Sequence, residues 1–345
     1  MAILRILLFP FAVLYNLITG VRNRLYDQGV KPSVKFDLPV IGIGNLTAGG
    51  TGKTPLTEYL IRLLAKDYKT ATLSRGYGRK TRGFRIAQPT DSAATIGDEP
   101  YQFFVKFGDQ VNVVVGEERA LAIPNILQAH PATEVILLDD AYQHRSVVPS
   151  LNILLSDYHR PFYEDFLLPA GRLRESRSGA ERADIVVVTK CPLEMSDEEM
   201  IDIEKAIREF VEKPVFFTHI RYGLPVSFNG RGNKMTDHVV LLSGISNTKP
   251  LEHYVAQNFK MVRHFNFSDH HAYTASDLEK IIRFVKNNPD VSILTTEKDK
   301  VKLAAPEFAN YVQSLPMFYL PIEVDFIKNG QDFDEIVLNS IKRAG

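Results

Sequence analysis

The segment that most constrains this chain is Gly49-Gly50-Thr51-Gly52-Lys53-Thr54-Pro55. VIGIGNL at 40–46 precedes it and reads as a buried strand. TPLTEYLIRLLAK follows, with Leu56, Tyr59, Leu60, Leu63 and Leu64 at helical spacing. The order is strand, glycine loop, helix. Glycines let backbone N–H groups turn inward around phosphate oxygens, and the helix N-terminus adds positive dipole. Lys53 can reach β/γ-phosphates, and the Thr54 hydroxyl can take a place on Mg²⁺. The strict pattern G-x-x-x-x-G-K-[ST] asks for glycine at 47, where this chain has Thr47. The loop is therefore a variant with an intact GKT tail. A glycine turn with an accidental lysine is the plainer alternative, and the strand–loop–helix context argues against it.

The runs TATLS at 70–74, VNVVVG at 111–116, EVILLDD at 134–140, LNILLSD at 151–157 and ADIVVVTK at 183–190 are apolar throughout rather than alternating. Strands covered on both faces look like this, so a mostly parallel sheet sandwiched by helices is expected. Three of these runs end in Ser or Asp, and ligands bind at such carboxyl ends. Ser196 is a plausible cap for a charged helix within 192–213. Beyond 215 a second alternation of strands and helices predicts a smaller α/β unit. FYLPIEVDFI at 318–327 reads as one last strand. The expected organisation is an N-terminal helix at 1–30, a P-loop domain at 31–215, and a smaller α/β domain at 216–345. A length of 345 residues suits about two domains.

The chain carries 41 basic and 41 acidic residues, a formal net charge of zero. That balance argues against a nucleic-acid partner. A single cysteine, Cys191, excludes an internal disulfide and a cysteine-rich zinc site. Residues 2–18, AILRILLFPFAVLYNLI, are almost all apolar, and Arg22 and Arg24 follow. A secretory signal fits poorly, because Arg5 lies inside the run and no A-x-A site follows. The run is slightly short for a bilayer span of about 20 residues. A helix lying in the membrane interface, with Arg22 and Arg24 near headgroups, is one reading. A core helix packed on the main domain is another.

A phosphate loop needs an acidic element on a neighbouring strand. Asp139 and Asp140 end the ILLDD strand and supply it; alone, such a pair is also an ordinary turn or cap. Asp98 in GDEP is a candidate base for an acceptor hydroxyl or an N-cap. His270 and His271 in FSDHHAY are candidate partners or a solvated pair. Arg75 and Tyr77, in SRGYGR at 74–79, end another strand, where arginines can bind phosphate.

The blocks GNLTAGGTGKTP at 44–55, LSRGYGR at 73–79, GDEP at 97–100, LLDDAYQH at 137–144, GRLRE at 171–175, SDHHAY at 268–273 and TTEKD at 295–299 run nearly end to end. In this order they resemble the tetraacyldisaccharide 4′-kinase family, the lipid A 4′-kinases of Gram-negative bacteria. Ala141-Tyr142 departs from the family's usual Gly-Phe, and SGISNT at 243–248 departs from its usual form. The resemblance implies that ATP phosphorylates the 4′-hydroxyl of a tetraacylated glucosamine disaccharide 1-phosphate, giving lipid IV-A. It implies a nucleotide loop of Gly49, Gly50, Thr51, Gly52, Lys53 and Thr54, and a Mg²⁺ site of Thr54, Asp139 and Asp140. Asp98 paired with His270 would act as base, and Arg75, Tyr77, Arg174 and Glu175 would lie around substrate or nucleotide. It also implies two α/β/α domains around the active-site cleft. Attachment would be peripheral, on the cytoplasmic face of the inner membrane, with no protein partner.

The runner-up is a P-loop ATPase or GTPase acting as a switch or maturation factor, which would hydrolyse nucleotide without an acceptor. A non-catalytic membrane adaptor comes third. A nicotinamide dehydrogenase is disfavoured, because the loop is GGTGKT rather than G-x-G-x-x-G.

Overall fold

The computed structural model describes residues 2–228, 234–269, 271–313 and 315–344. Among the described residues the strands form two sheets. The larger contains β1 (Val40–Asn45), β2 (Thr70–Ser74), β3 (Arg85–Ile86), β4 (Asn112–Val115), β5 (Val135–Leu138), β6 (Leu151–Asp157), β7 (Ile185–Thr189) and β8 (Val215–Tyr222). The smaller contains β9 (Val226–Ser227), β10 (His238–Ser243), β11 (Lys260–Asn266), β12 (Val291–Thr296) and β13 (Met317–Leu320). A final strand, β14 (Ile322–Phe326), returns to the larger sheet. The orders are β14-β8-β7-β6-β1-β5-β2-β4-β3 and β11-β10-β12-β13-β9.

The phosphate-loop strand β1 lies at the centre of the large sheet, parallel to both β5 and β6. Only β3 and β14 run antiparallel among that sheet's described pairings. On one face Ile41 and Ile43 pack with Leu56 and Leu60 of the Lys53–Leu64 helix, Phe103 and Phe333. On the other, Leu46, Leu154 and Val186 pack around Phe162, while Val40, Leu73 and Leu138 meet Ile123. Helices therefore cover both faces, and each fully buried aliphatic side chain contributes about 1.5–3 kcal/mol. Ser196 caps the Asp197–Arg208 helix, its hydroxyl accepting from the Glu199 N–H.

The structure differs from the expected division at 215 in two places. β8 belongs to the large sheet, as the next parallel strand after β7. The run at 318–327 is two strands, not one. Pro321 cannot donate to a ladder and separates them, so β13 pairs with β12 while β14 pairs with β8. The terminal helix Gly330–Ala344 follows β14, and its Phe333, Val337 and Ile341 enter the large-sheet core. The smaller unit is thus an insertion between Tyr222 and Ile322, which are register partners, and the last residues belong to the larger unit.

The N-terminal helix runs Ala2–Asp27. It is not a core helix. Ile6, Leu7, Phe9, Phe11, Val13, Leu14, Leu17, Ile18 and Val21 are each 53–71% exposed. Its last turns dock: Arg22 donates to the Gln143 carbonyl at 2.8 Å, and Arg145 donates to the Asn23 carbonyl at 2.8 Å. Arg22 therefore points to the protein, while Arg24 remains exposed.

Candidate active site

Gly52 sits at the N-cap of the Lys53–Leu64 helix with φ 80°, a left-handed conformation that favours glycine. This turn sends Lys53 back towards the end of β1. Its Nζ donates to Asn45 Oδ1 at 3.3 Å and lies 3.5 Å from Asp140 Oδ1. Arg174 reaches the same place from the 171–175 segment. Its guanidinium forks onto Asp140 at 3.0 and 3.3 Å and donates to Asn45 Oδ1 at 2.5 Å. Asp140 has φ 48°, an uncommon conformation for a residue with a side chain, and one seen at functional sites. Although burial opposes its charge, Lys53 and Arg174 hold its carboxyl well below the usual carboxylate range.

Asp139 has the opposite environment. It is 1% exposed, and its carboxylate accepts weakly from Thr57 at 3.4 Å and Ser74 at 3.3 Å. Burial, with Glu99 and Asp140 nearby, pushes its carboxyl up to about 7. The Thr54 hydroxyl donates to Glu99 Oε1 at 3.1 Å. Crowded, under-compensated carboxylates of this kind fit a dication. Among the described residues no three His, Cys, Asp or Glu groups form a complete protein cage. Mg²⁺ needs none, since it keeps waters and shares substrate phosphates.

Asp98 starts the Asp98–Phe107 helix, behind Gly97. Its carboxylate is 3.3 Å from Lys302 Nζ, on the Glu297–Leu303 helix of the smaller unit. His270 lies outside the described residues. Its neighbour His271 is bound elsewhere: Nε2 lies 3.1 Å from Asp277, and the ring stacks on Phe267. Arg75 and Tyr77 are exposed, Tyr77 at 70%. Glu175 does not face the cleft. It is buried and accepts from Asn23 at 2.7 Å, Gln143 at 2.9 Å and Arg182 at 2.9 Å.

A cavity of about 540 Å³ opens beside the loop, lined by Ala48, Gly49, Arg172, Ser246, Asn266 and Asp269. The smaller unit closes tightly on the loop here. A Cβ at Gly50 would stand 2.7 Å from Ser246 Oγ, so any larger residue there would make that hydroxyl turn away.

Several residues at this site carry no motif of their own. Asn45 joins Lys53 to Arg174, and its place at the end of β1 was the available signal. Glu99 stands beside Asp98 in GDEP. Lys190, at φ 60°, donates to the Gly50 carbonyl and to Asp157 at 2.6 Å. Arg119 is fully buried, with only one Nη bonded to the carbonyls of Gly116 and Glu117. Burial lowers its guanidinium to about 10, and Asp139 and Asp140 partly offset this. A charged residue a few places beyond a strand end, opening the Arg119–Ala129 helix, was the available hint.

A phosphate loop on a central parallel strand, faced by carboxylates from the next strand and by a second α/β unit, defines a P-loop kinase. The comparisons with known proteins agree. The model of the family "Tetraacyldisaccharide-1-P 4'-kinase" matches residues 4–342, and the chain belongs to that family. A tetraacyldisaccharide 4′-kinase of Flavobacterium johnsoniae is 45% identical, covering 99% of this chain and 98% of that protein. The Phocaeicola vulgatus enzyme of the same name is 43% identical over 94% of this chain and 92% of its own. A crystal structure of LpxK from Aquifex aeolicus in complex with ATP superposes with TM-score 0.75 at 29% identity, covering 98% and 99% of the two chains. The chain is accordingly a kinase that uses ATP.

Proposed function

We propose that this enzyme transfers the γ-phosphoryl group of ATP to the 4′-hydroxyl of a tetraacylated glucosamine disaccharide 1-phosphate, giving lipid IV-A. One contact carries the reading of the site. Thr54 of the phosphate loop donates to Glu99, the chain neighbour of Asp98. Lys53 and the loop amides neutralise charge on the transferred group. Arg174 holds Asp140 in its left-handed turn. Asp98 accepts the hydroxyl proton as the new P–O bond forms and the bond to the β-phosphate oxygen breaks. His270 belongs to this reading as the partner of Asp98. Thr54, Asp139 and Asp140 would hold Mg²⁺, which would supply positive charge against the phosphates when bound. Arg75 and Tyr77 serve the acceptor side.

The exposed apolar face of the N-terminal helix supports peripheral attachment to the cytoplasmic face of the inner membrane, where an acylated acceptor resides. The test is label transfer from ATP to detergent-dispersed acceptor, with an acceptor-free control and Lys53→Ala. Labelled lipid dependent on acceptor and on Lys53 is the expected result. Equal phosphate release without acceptor, and no labelled lipid, would leave the nucleotide-hydrolysing switch instead.

A further inference from the structure

We infer that Lys302 is a positioning residue for phosphoryl transfer, a strut by which the smaller unit holds the carboxylate of Asp98. This rests on the reading of Asp98 as the base. Lys302 is only 8% exposed, so its charge needs a partner. Three oxygens surround its Nζ: Asp98 Oδ2 at 3.3 Å, the His271 carbonyl at 3.3 Å, and Asp299 Oδ1 at 4.0 Å. Asp299 is already engaged. It accepts from Tyr273 at 3.0 Å, the Gly244 N–H at 2.9 Å and Thr296 at 2.7 Å. The nearest carboxylate to Lys302 is therefore Asp98, from the other unit.

The placement is specific. The Asp98–Phe107 and Glu297–Leu303 helices meet along a seam with an ion pair at each end. At the far end, Lys106 bridges Glu58 at 2.5 Å and Glu297 at 2.9 Å. At the near end, Lys302 binds the carboxylate proposed as base and the backbone of the loop that follows β11. One ammonium thus sets the distance between the Asp98 carboxylate and the His271 carbonyl. A carboxylate so held keeps one orientation, and orientation is what a proton acceptor must have before the hydroxyl arrives.

The experiment uses the full-length enzyme with ATP and dispersed acceptor. Lys302→Met should lower kcat ten- to hundredfold, leave KM for ATP within twofold, and retain cooperative unfolding. Lys302→Arg should recover at least half of the lost kcat on a logarithmic scale. Lys106→Met, at the far end of the seam, should leave kcat within twofold. A folded Lys302→Met with kcat within twofold of wild type overturns the inference. So does an equal loss of kcat in Lys106→Met, which would assign the effect to seam packing. If Lys302→Met does not fold, Lys302→Gln takes its place. Failure of both to fold would make Lys302 scaffold and also overturn the inference. Asp98→Asn separates the two readings. Full turnover in that variant removes Asp98 as the base. Lost turnover there, beside an unaffected Lys302→Met, removes only the strut.

Discussion

The hydroxyl of Tyr15, in the N-terminal helix, donates to the carbonyl oxygen of Arg174 at 2.9 Å. Arg174 in turn forks onto Asp140. The apolar helix and the charged end of the site are therefore one bond apart. A hydrogen bond of this kind contributes about 1 kcal/mol. Tyr15→Phe should accelerate amide exchange over residues near 15–23 about fivefold while global unfolding hardly moves. Unchanged exchange would show that the helix docks without Tyr15.

Glu175 separates a scaffold role from a substrate role. Its carboxylate gathers Asn23, Gln143 and Arg182 in a buried place. Hydrogen bonds to a charged group contribute about 1.5–3 kcal/mol each. Glu175→Gln should lower stability by about 2–3 kcal/mol in urea unfolding, with KM for both substrates nearly unchanged. A raised KM at unchanged stability would return Glu175 to the substrate side.

Asp91 shapes the acid limb of stability. Burial opposes its charge, yet Arg85 at 2.6 Å, the Thr95 hydroxyl at 2.8 Å and the Gln88 N–H at 2.9 Å hold its carboxyl below the ordinary value. A depressed pKa gives stability that is present above the unfolded value, near 3.9, and is lost as pH falls through the folded one. Asp91→Asn should lower stability at neutral pH and flatten its fall on acidification. An unchanged slope below pH 4 would contradict this.

Cys191 acts on the alkaline side. It is 5% exposed, and burial pushes its thiol up to about 12. The raised value means its contribution is complete below the unfolded pKa of about 8.5 and declines as pH rises from there towards 12. Native protein at pH 8 should resist a thiol-alkylating reagent, and denatured protein should react at once. Rapid native modification would show that this region opens.

The parts of the fold legible in the sequence are those set by local pattern. The apolar run at 40–46, the glycine loop and the 3.6-residue spacing after it need no distant partner, and all stand where expected. Asp139 and Asp140 were visible as acids on a strand end. Their opposite electrostatic environments were not, because Lys53, Arg174 and Glu99 come from three other segments. Glu175 looked like a site residue because it adjoins Arg174, but its partners at 23, 143 and 182 draw it inward. The run at 318–327 misled because both halves are strand-like; Pro321 was the available warning. Lys302 sits in an ordinary charged helix, and only the meeting of the two units gives it a neighbour across the cleft.

The pairing of Tyr222 with Ile322 makes the smaller unit a cassette hung from two adjacent, antiparallel strands. Excising it would leave chain ends side by side, and a two-residue turn between β8 and β14 would close them into a common hairpin. Trimming the C-terminus is a different operation. It would strip an edge strand and the Phe333 helix from the nucleotide-binding half while leaving the cassette in place. The Gly330–Ala344 helix is therefore part of the body that carries the phosphate loop, and the smaller unit is the portion that is separable.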